Sequence, residues 1–210
     1  MDCQAIPLHA ELLTPCYYHG RYAMDGSASD PDVITDTALL FALRASLLGA
    51  PATLKGQPDY RADMAGIPWR ASLLMGQGNA LLPPLRRSVD MEREGGRSVS
   101  VQSNMNKGHY KNIFFTHSIA AGATYRGLLV GPDPFASADG ASLIVRVGVG
   151  RAGMLRLTRD AKITEVRLNA ATAVLFERTL SEQERRLDTI RPTALMPLAA
   201  AADELRQWLI

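Results

Sequence analysis

The chain has no run of about 18 apolar residues, so it predicts no membrane span. Cysteine is scarce: Cys3 and Cys16 are the only two in 210 residues and follow no framework spacing, which predicts reduced thiols rather than a disulfide scaffold. The opening Met1-Asp2-Cys3-Gln4 lacks a basic leader region, so no secretory signal is expected and a cytoplasmic protein is. No glycine loop closes on lysine followed by Ser or Thr, which excludes the phosphate-cradling loop of NTPases. No serine sits in an elbow motif, and the acidic residues form no paired-carboxylate signature. Cys3, His9, Cys16 and His19 are zinc-ligating residue types on one stretch, but their spacing is awkward and no second knuckle follows; no metal and no cofactor are predicted. Repeats and low-complexity tracts are absent.

What is present is the composition of an ordinary globular domain, 47% hydrophobic and 21% charged, enough for a real core. The net charge is only +2, but its distribution is uneven. The first forty residues hold Arg21 as their sole Lys or Arg, against Asp2, Glu11, Asp25, Asp30, Asp32 and Asp36. After Arg61 come Arg70, Arg86, Arg87, Arg93, Arg97, Lys107, Lys111 and Arg126 with few acids between them. Such segregation predicts one basic face and one acidic or neutral face, as a nucleic-acid groove opposite a protein-docking surface would require.

Apolar alternation at Ile6, Leu8, Ala10 and Leu12 predicts a strand that Pro15 ends, followed by a loop over 22–31. Asp32 or Thr35 caps a helix carrying Val33, Ile34, Ala38, Leu39, Phe41, Ala42 and Leu43, which runs to about Gly49. A strand is expected over 69–75. Residues 76–108, rich in Pro, Gly and Arg and poor in apolar groups, predict a projecting hairpin arm with 98–103 returning to the body. Strands are expected at 112–116 and 125–130, paired around the small turn Ala120-Ala121-Gly122, and again at 143–147, 154–157 and 163–168. Ser181 with Glu184 reads as a helix start, and 197–210 as an amphipathic helix burying Leu198, Ala201, Leu205, Trp208 and Leu209. The whole is α+β: one domain over 1–210 with a mainly antiparallel sheet, a ferredoxin-like (split βαβ) core, the inserted arm, and a C-terminal helical segment over 181–210.

The turn Gly148-Val149-Gly150-Arg151-Ala152-Gly153, between two apolar strands, is the most distinctive motif. Glycines let backbone amides approach an anion, and Arg146, Arg151, Arg156 and Arg159 supply counter-charge. Glycines in a strand connection also serve hairpin geometry alone, and both readings stand at this point. Single-stranded RNA also needs stacking planes. Tyr110, flanked by Lys107 and Lys111, is the first candidate, with Trp69, Phe114, Phe115 and Tyr125 behind it.

With these pieces placed, the chain resembles the RAMP superfamily of CRISPR effector subunits, and within it the compact fifth-Cas family of type IV or type I-D character. The resemblance rests on the opening 6–15, the helix over 32–48, the arm over 76–108 and the glycine-rich loop 148–153, here in shortened form. It implies a non-catalytic subunit that caps the 5′ handle of the crRNA and touches the adjacent backbone subunit and the large subunit, with target DNA in the assembled complex. Under it, Arg146, Gly148, Gly150, Arg151, Gly153, Arg156, Lys107, Tyr110 and Lys111 hold RNA, while Arg86, Arg87, Arg93 and Arg97 on the arm meet RNA or a neighbouring subunit. Two alternatives remain open. One is a metal-independent endoribonuclease using His109 or His117 as acid or base, Tyr110 as a partner, and Lys107 or Lys111 to stabilise charge. The other is a structural module that docks a protein through its terminal helix.

Overall fold

Alternation makes the first strand two-faced, and that strand organises the molecule. A computed structural model describes residues 3–18, 21–23, 26–49, 59–90, 111–136 and 141–209, with backbone alone described at 21–23, 26–28, 86–90 and 111–114. In it, β1 (Gln4–Leu12) buries Ile6, Leu8, Ala10 and Leu12 and turns Pro7, His9 and Glu11 to the opposite face. The chain continues through β2 (Arg21–Ala23), β3 (Gly26–Ala28), β4 (Val33–Ile34) and α1 (Asp36–Leu43), which runs on into a π-helical turn at Arg44–Leu48. There follow α2 (Tyr60–Ala65), β5 (Arg70–Ala71), β6 (Leu74–Met75), β7 (Leu85–Asp90), β8 (Lys111–His117) and β9 (Thr124–Gly131). The remainder is β10 (Leu143–Val147), β11 (Gly153–Arg159), β12 (Glu165–Val166), α3 (Ala170–Ala173), β13 (Met196–Pro197) and α4 (Leu198–Gln207).

The principal sheet has seven strands in the order β10-β11-β1-β9-β6-β4, with β5 also paired to β9. β1 runs antiparallel to both neighbours, β9 and β11. This is an α+β fold with a curled antiparallel sheet and a few helices, consistent with the ferredoxin-like class expected from the sequence. A second sheet, β2-β3-β8-β7, contains the base of the arm: β7 and β8 pair antiparallel from Leu85 opposite Thr116 to Asp90 opposite Lys111. The expected returning stretch 98–103 lies outside the described residues.

Two apolar clusters lie on the two faces of the principal sheet. One packs Leu39, Leu40 and Leu43 of α1 against Leu8, Leu12, Tyr125, Leu129, Val145 and Leu157. The other packs Ala201, Leu205 and Trp208 against Leu128 and Val130. β9 serves both, because adjacent residues of a strand point to opposite sides. At about 25 cal/mol per Å² of apolar surface removed from water, these clusters are the main stabilising term.

Several expected elements are revised. The strands at 112–116 and 125–130 do not pair with each other. The edges of β9 are taken by β1 on one side and by β5 and β6 on the other, and the turn at Gly122 hands the chain from one sheet to the next. The strand over 69–75 is split at Ser72-Leu73, where the Ser72 hydroxyl accepts from the Leu128 amide. The strand over 163–168 shrinks to β12, and the loop over 22–31 contains the short β2–β3 ladder. Helix α1 starts at Asp36 with Thr35 as its cap, because Val33 and Ile34 are drawn into the sheet edge. No helix forms at Ser181: the amides of Gln183 and Arg186 donate instead to the carbonyls of Pro192 and Ile190, and the local apolar residues, Leu187 and Ile190, are too few for a helical stripe. The terminal helix is α4 alone, with Ala201, Leu205 and Trp208 buried as expected and Leu198 and Leu209 half-buried.

Among the described residues, three acids of the first forty, Asp30, Asp32 and Asp36, make contacts within the fold. The Asp32 carboxylate accepts from the amides of Gly78 and Asn79, and Asp30 pairs with Arg186. Asp36 is fully enclosed: its Oδ1 accepts from Asn169 Nδ2, while Oδ2 has no hydrogen-bond partner among the described residues. Burial pushes the Asp36 carboxyl above the ordinary value of 3.8, with hydrogen bonds from Asn169, Thr172 and Thr37 pulling the other way. The folded chain therefore holds this proton more tightly than the unfolded chain. The resulting stabilisation is full below the ordinary Asp range and is lost as pH rises through the folded value. Asp36→Asn is expected to raise Tm at about pH 7 and to flatten the stability profile between about pH 4 and pH 7. Thermal melts across that range check this; a variant less stable than the parent at neutral pH would refute it.

Candidate nucleic-acid interface

The register of four neighbouring strands decides which side chains share the open side of the sheet. Residues directly opposite each other on antiparallel strands point the same way. Across β6, β9, β1 and β11, one row therefore contains Met75, Arg126, His9 and Thr158. The next row contains Thr124, Glu11, Arg156 and Ile144. Beyond it, Arg146 on β10 stands opposite Met154 on β11. Helix α4 covers only the Leu128 and Val130 end of this side, so Arg126, Arg146 and Ile144 are exposed and His9, Arg156 and Thr158 half-buried.

Arg146 and Arg156 are diagonal neighbours on adjacent strands, within about 7–8 Å at the backbone. Arg156 pairs with Glu11 across the sheet, but both side chains remain partly exposed, at 43% and 33%. Such a pair stabilises the fold by about 0–1 kcal/mol and leaves the guanidinium free to exchange partners. No hydrogen bond or ion pair engages the side chains of Arg126, Arg146 or Arg151 among the described residues. Arg159, by contrast, is committed to Asp133 and lies 4.6 Å over the Phe135 ring.

The glycine turn joins β10 to β11 as a hairpin, one of the two readings open from the sequence. Gly148 and Gly153 are packed against Cys16: a Cβ at Gly148 would lie 2.4 Å from Cys16 Sγ, and one at Gly153 would lie 2.8 Å from the same atom. Much of the turn's hydrogen bonding is internal. The Val149 amide donates to Tyr17 O, the Arg151 amide to Gly148 O, and the Met154 amide to Thr14 Oγ1. At Gly148 and Gly153 the missing side chains admit Cys16. Gly150 faces open space, and Arg151 stands exposed at the tip in a left-handed conformation, φ 54°. Gly148, at φ 81° and ψ 178°, occupies a region essentially reserved for glycine. Gly148→Ala is expected to destabilise by about 3 kcal/mol, strain and overlap together, and Gly150→Ala by about 1 kcal/mol. Denaturant titration of the two variants checks the difference; equal losses would show that contact with Cys16 is unimportant.

Of the expected stacking residues, Trp69 and Tyr125 are core. The Trp69 indole donates to Pro132 O and the Tyr125 hydroxyl to Pro31 O, which removes both rings from any ligand. Arg70, expected on a basic face, is buried. Lys107, His109, Tyr110, Arg93 and Arg97 lie outside the described residues. Arg86 and Arg87 are on β7 and Lys111 on β8, placed by their backbone, with Arg86 opposite Phe115 and Arg87 opposite Phe114. Lys111 and His117 stand at opposite ends of β8, about 20 Å apart by strand rise. Cys16 is buried and Cys3 exposed, and no metal-ligating cluster exists among the described residues. Nor is any helix there long and apolar enough to cross a membrane.

The structure also adds residues that motif reading missed. His9 and Arg126 are neighbours only through the β1–β9 register, though strand alternation already places His9 opposite the core. Beside their row a cleft of about 710 Å³ opens, floored by Met75, Arg126 and His9 and walled by residues 162–167 together with Arg186 and Leu195.

No protein-family profile matches the chain, and no curated protein matches it. Among solved structures it is similar to a chain of the Type III-B Cmr-beta complex bound to cognate target RNA and AMPPnP. The TM-score is 0.40 and the identity 11%, over 75% of this chain and 64% of that one. The likeness is too remote to assign a family.

Proposed function

We propose that the chain is a non-catalytic RNA-binding subunit of a CRISPR ribonucleoprotein, holding the 5′ handle of the guide RNA and meeting a neighbouring backbone subunit through the β7–β8 arm. The observation that carries the RNA reading is the open side of the principal sheet, where Arg126, Arg156 and Arg146 share one side and step diagonally across β9, β11 and β10, with His9 and Thr158 between. Guanidinium groups fit phosphate oxygens, and exposed strands present them at regular intervals along a groove. The CRISPR setting rests on the sequence resemblance. The non-catalytic reading rests on the same resemblance.

Co-expression with the neighbouring genes tests the reading. One discrete small RNA of unaltered length should copurify, and its retention should fall steeply with salt. Purified protein without excess absorbance at 260 nm would overturn RNA binding. Progressive shortening of added RNA, abolished in His117→Ala, would favour the ribonuclease instead.

A further inference from the structure

The cleft beside the Met75–Arg126–His9 row combines two kinds of lining. Four cations border it, Arg126, Lys162, Arg167 and Arg186, against a single acid, Glu165. Two of them are already occupied: Arg186 pairs with Asp30 and Glu184, and Arg167 donates to Thr193 O and Gln183 Oε1. Arg126 and Lys162 are exposed, and among the described residues no side-chain partner holds either. Met75 and the half-exposed Leu195 add apolar surface, and Gln77, Thr124 and Thr164 add neutral hydrogen-bonding groups. Cations for an anionic group, apolar surface for a ring and amide or hydroxyl groups for polar edges suit one nucleotide, and about 710 Å³ is ample for it.

We propose that this cleft seats a terminal phosphate monoester of a nucleotide, held between Arg126 and Lys162. The proposal deepens the RNA reading and rests on it for the strand that carries the phosphate. A monoester bears about −1.5 to −2 charge at neutral pH. An internal diester bears one charge, so two uncommitted cations beside one apolar shelf favour a strand end over strand interior. The sheet side bearing Arg146 and Arg156 is continuous with the cleft through His9, so a strand laid across it would deliver its end there.

Fluorescence anisotropy on the full chain tests this with one octaribonucleotide, labelled on an internal base, in three forms: 5′-phosphorylated, 3′-phosphorylated and hydroxyl at both ends. One phosphorylated form should bind at least about tenfold more tightly than the hydroxyl form. Arg126→Gln with Lys162→Gln should erase that preference and, through Arg126, weaken hydroxyl-ended RNA as well; Lys162→Gln alone should reduce the preference while hydroxyl-ended RNA binds as it does to the parent, and both positions are exposed, which guards against loss of folding. Equal affinity for all three forms would overturn the phosphate seat and leave the RNA reading intact. Failure of every RNA to bind, with a fluorescent AMP still captured by the parent and lost in the double variant, would overturn the RNA reading and assign the seat to a free nucleotide. Failure of all probes would overturn both.

Discussion

Replacing Arg146 and Arg156 together with alanine is expected to weaken single-stranded RNA binding by at least about a hundredfold. Each charge-assisted contact contributes about 1.5–3 kcal/mol, and a factor of ten corresponds to 1.4 kcal/mol. The salt dependence should change as well: two lost phosphate contacts lower the slope of log K against log salt by about 1.4 for a single strand. Folding should be nearly untouched. Arg146 is exposed and unpaired among the described residues, and loss of Arg156 leaves Glu11 partly solvated, at a cost of about 1 kcal/mol or less. Salt-resolved anisotropy beside a thermal melt separates the two effects. Undiminished affinity, with an unchanged slope, would show that RNA does not cross this side of the sheet.

The second large effect concerns stability and centres on Arg70. Its guanidinium is buried and pairs with no carboxylate among the described residues; instead Nε donates to Trp208 O at 2.7 Å, and one terminal nitrogen donates to Ile67 O at 2.8 Å and Trp69 O at 2.7 Å. It also lies 4.6 Å over the Phe176 ring, which stacks on Trp208 at 5.7 Å. Burial pulls the group down to about 10, still fully charged at neutral pH. Arg70→Met fills the space but leaves three carbonyls without their donor and frees the end of α4. A loss of about 4 kcal/mol is expected, equivalent to about 8–16 °C in Tm for a chain of this size. Limited proteolysis should then cut first near Trp208. A variant melting within about 2 °C of the parent would show that the carbonyls find water instead.

Local patterns in the sequence carried part of this structure. The alternation of Ile6 to Leu12, the Thr35 cap, the hairpin around Gly148–Gly153 and the buried stripe of α4 are each set within about a dozen neighbouring residues, where periodicity and turn chemistry operate. Strand partners were not legible in the same way. β8 joins β7 rather than β9 because the edges of β9 are claimed by β1, β5 and β6, elements far away in the chain. Arg70 illustrates a second limit: composition counts it as surface charge, and only the arrival of the α4 end supplies the carbonyls that allow it inside. At the candidate site, Arg146 and Arg156 were legible as cations flanking the glycine turn. Arg126 reaches the same surface only through its register with His9, and Lys162 only through the fold that walls the cleft.

Leu128 and Leu129 are consecutive, yet each belongs to a different apolar cluster. Neither cluster can loosen without stripping one whole flank from β9, and that strand also anchors β1, β5 and β6. Heat should therefore find no half-molten way station: the α1 side and the α4 side should give up their structure at one shared temperature.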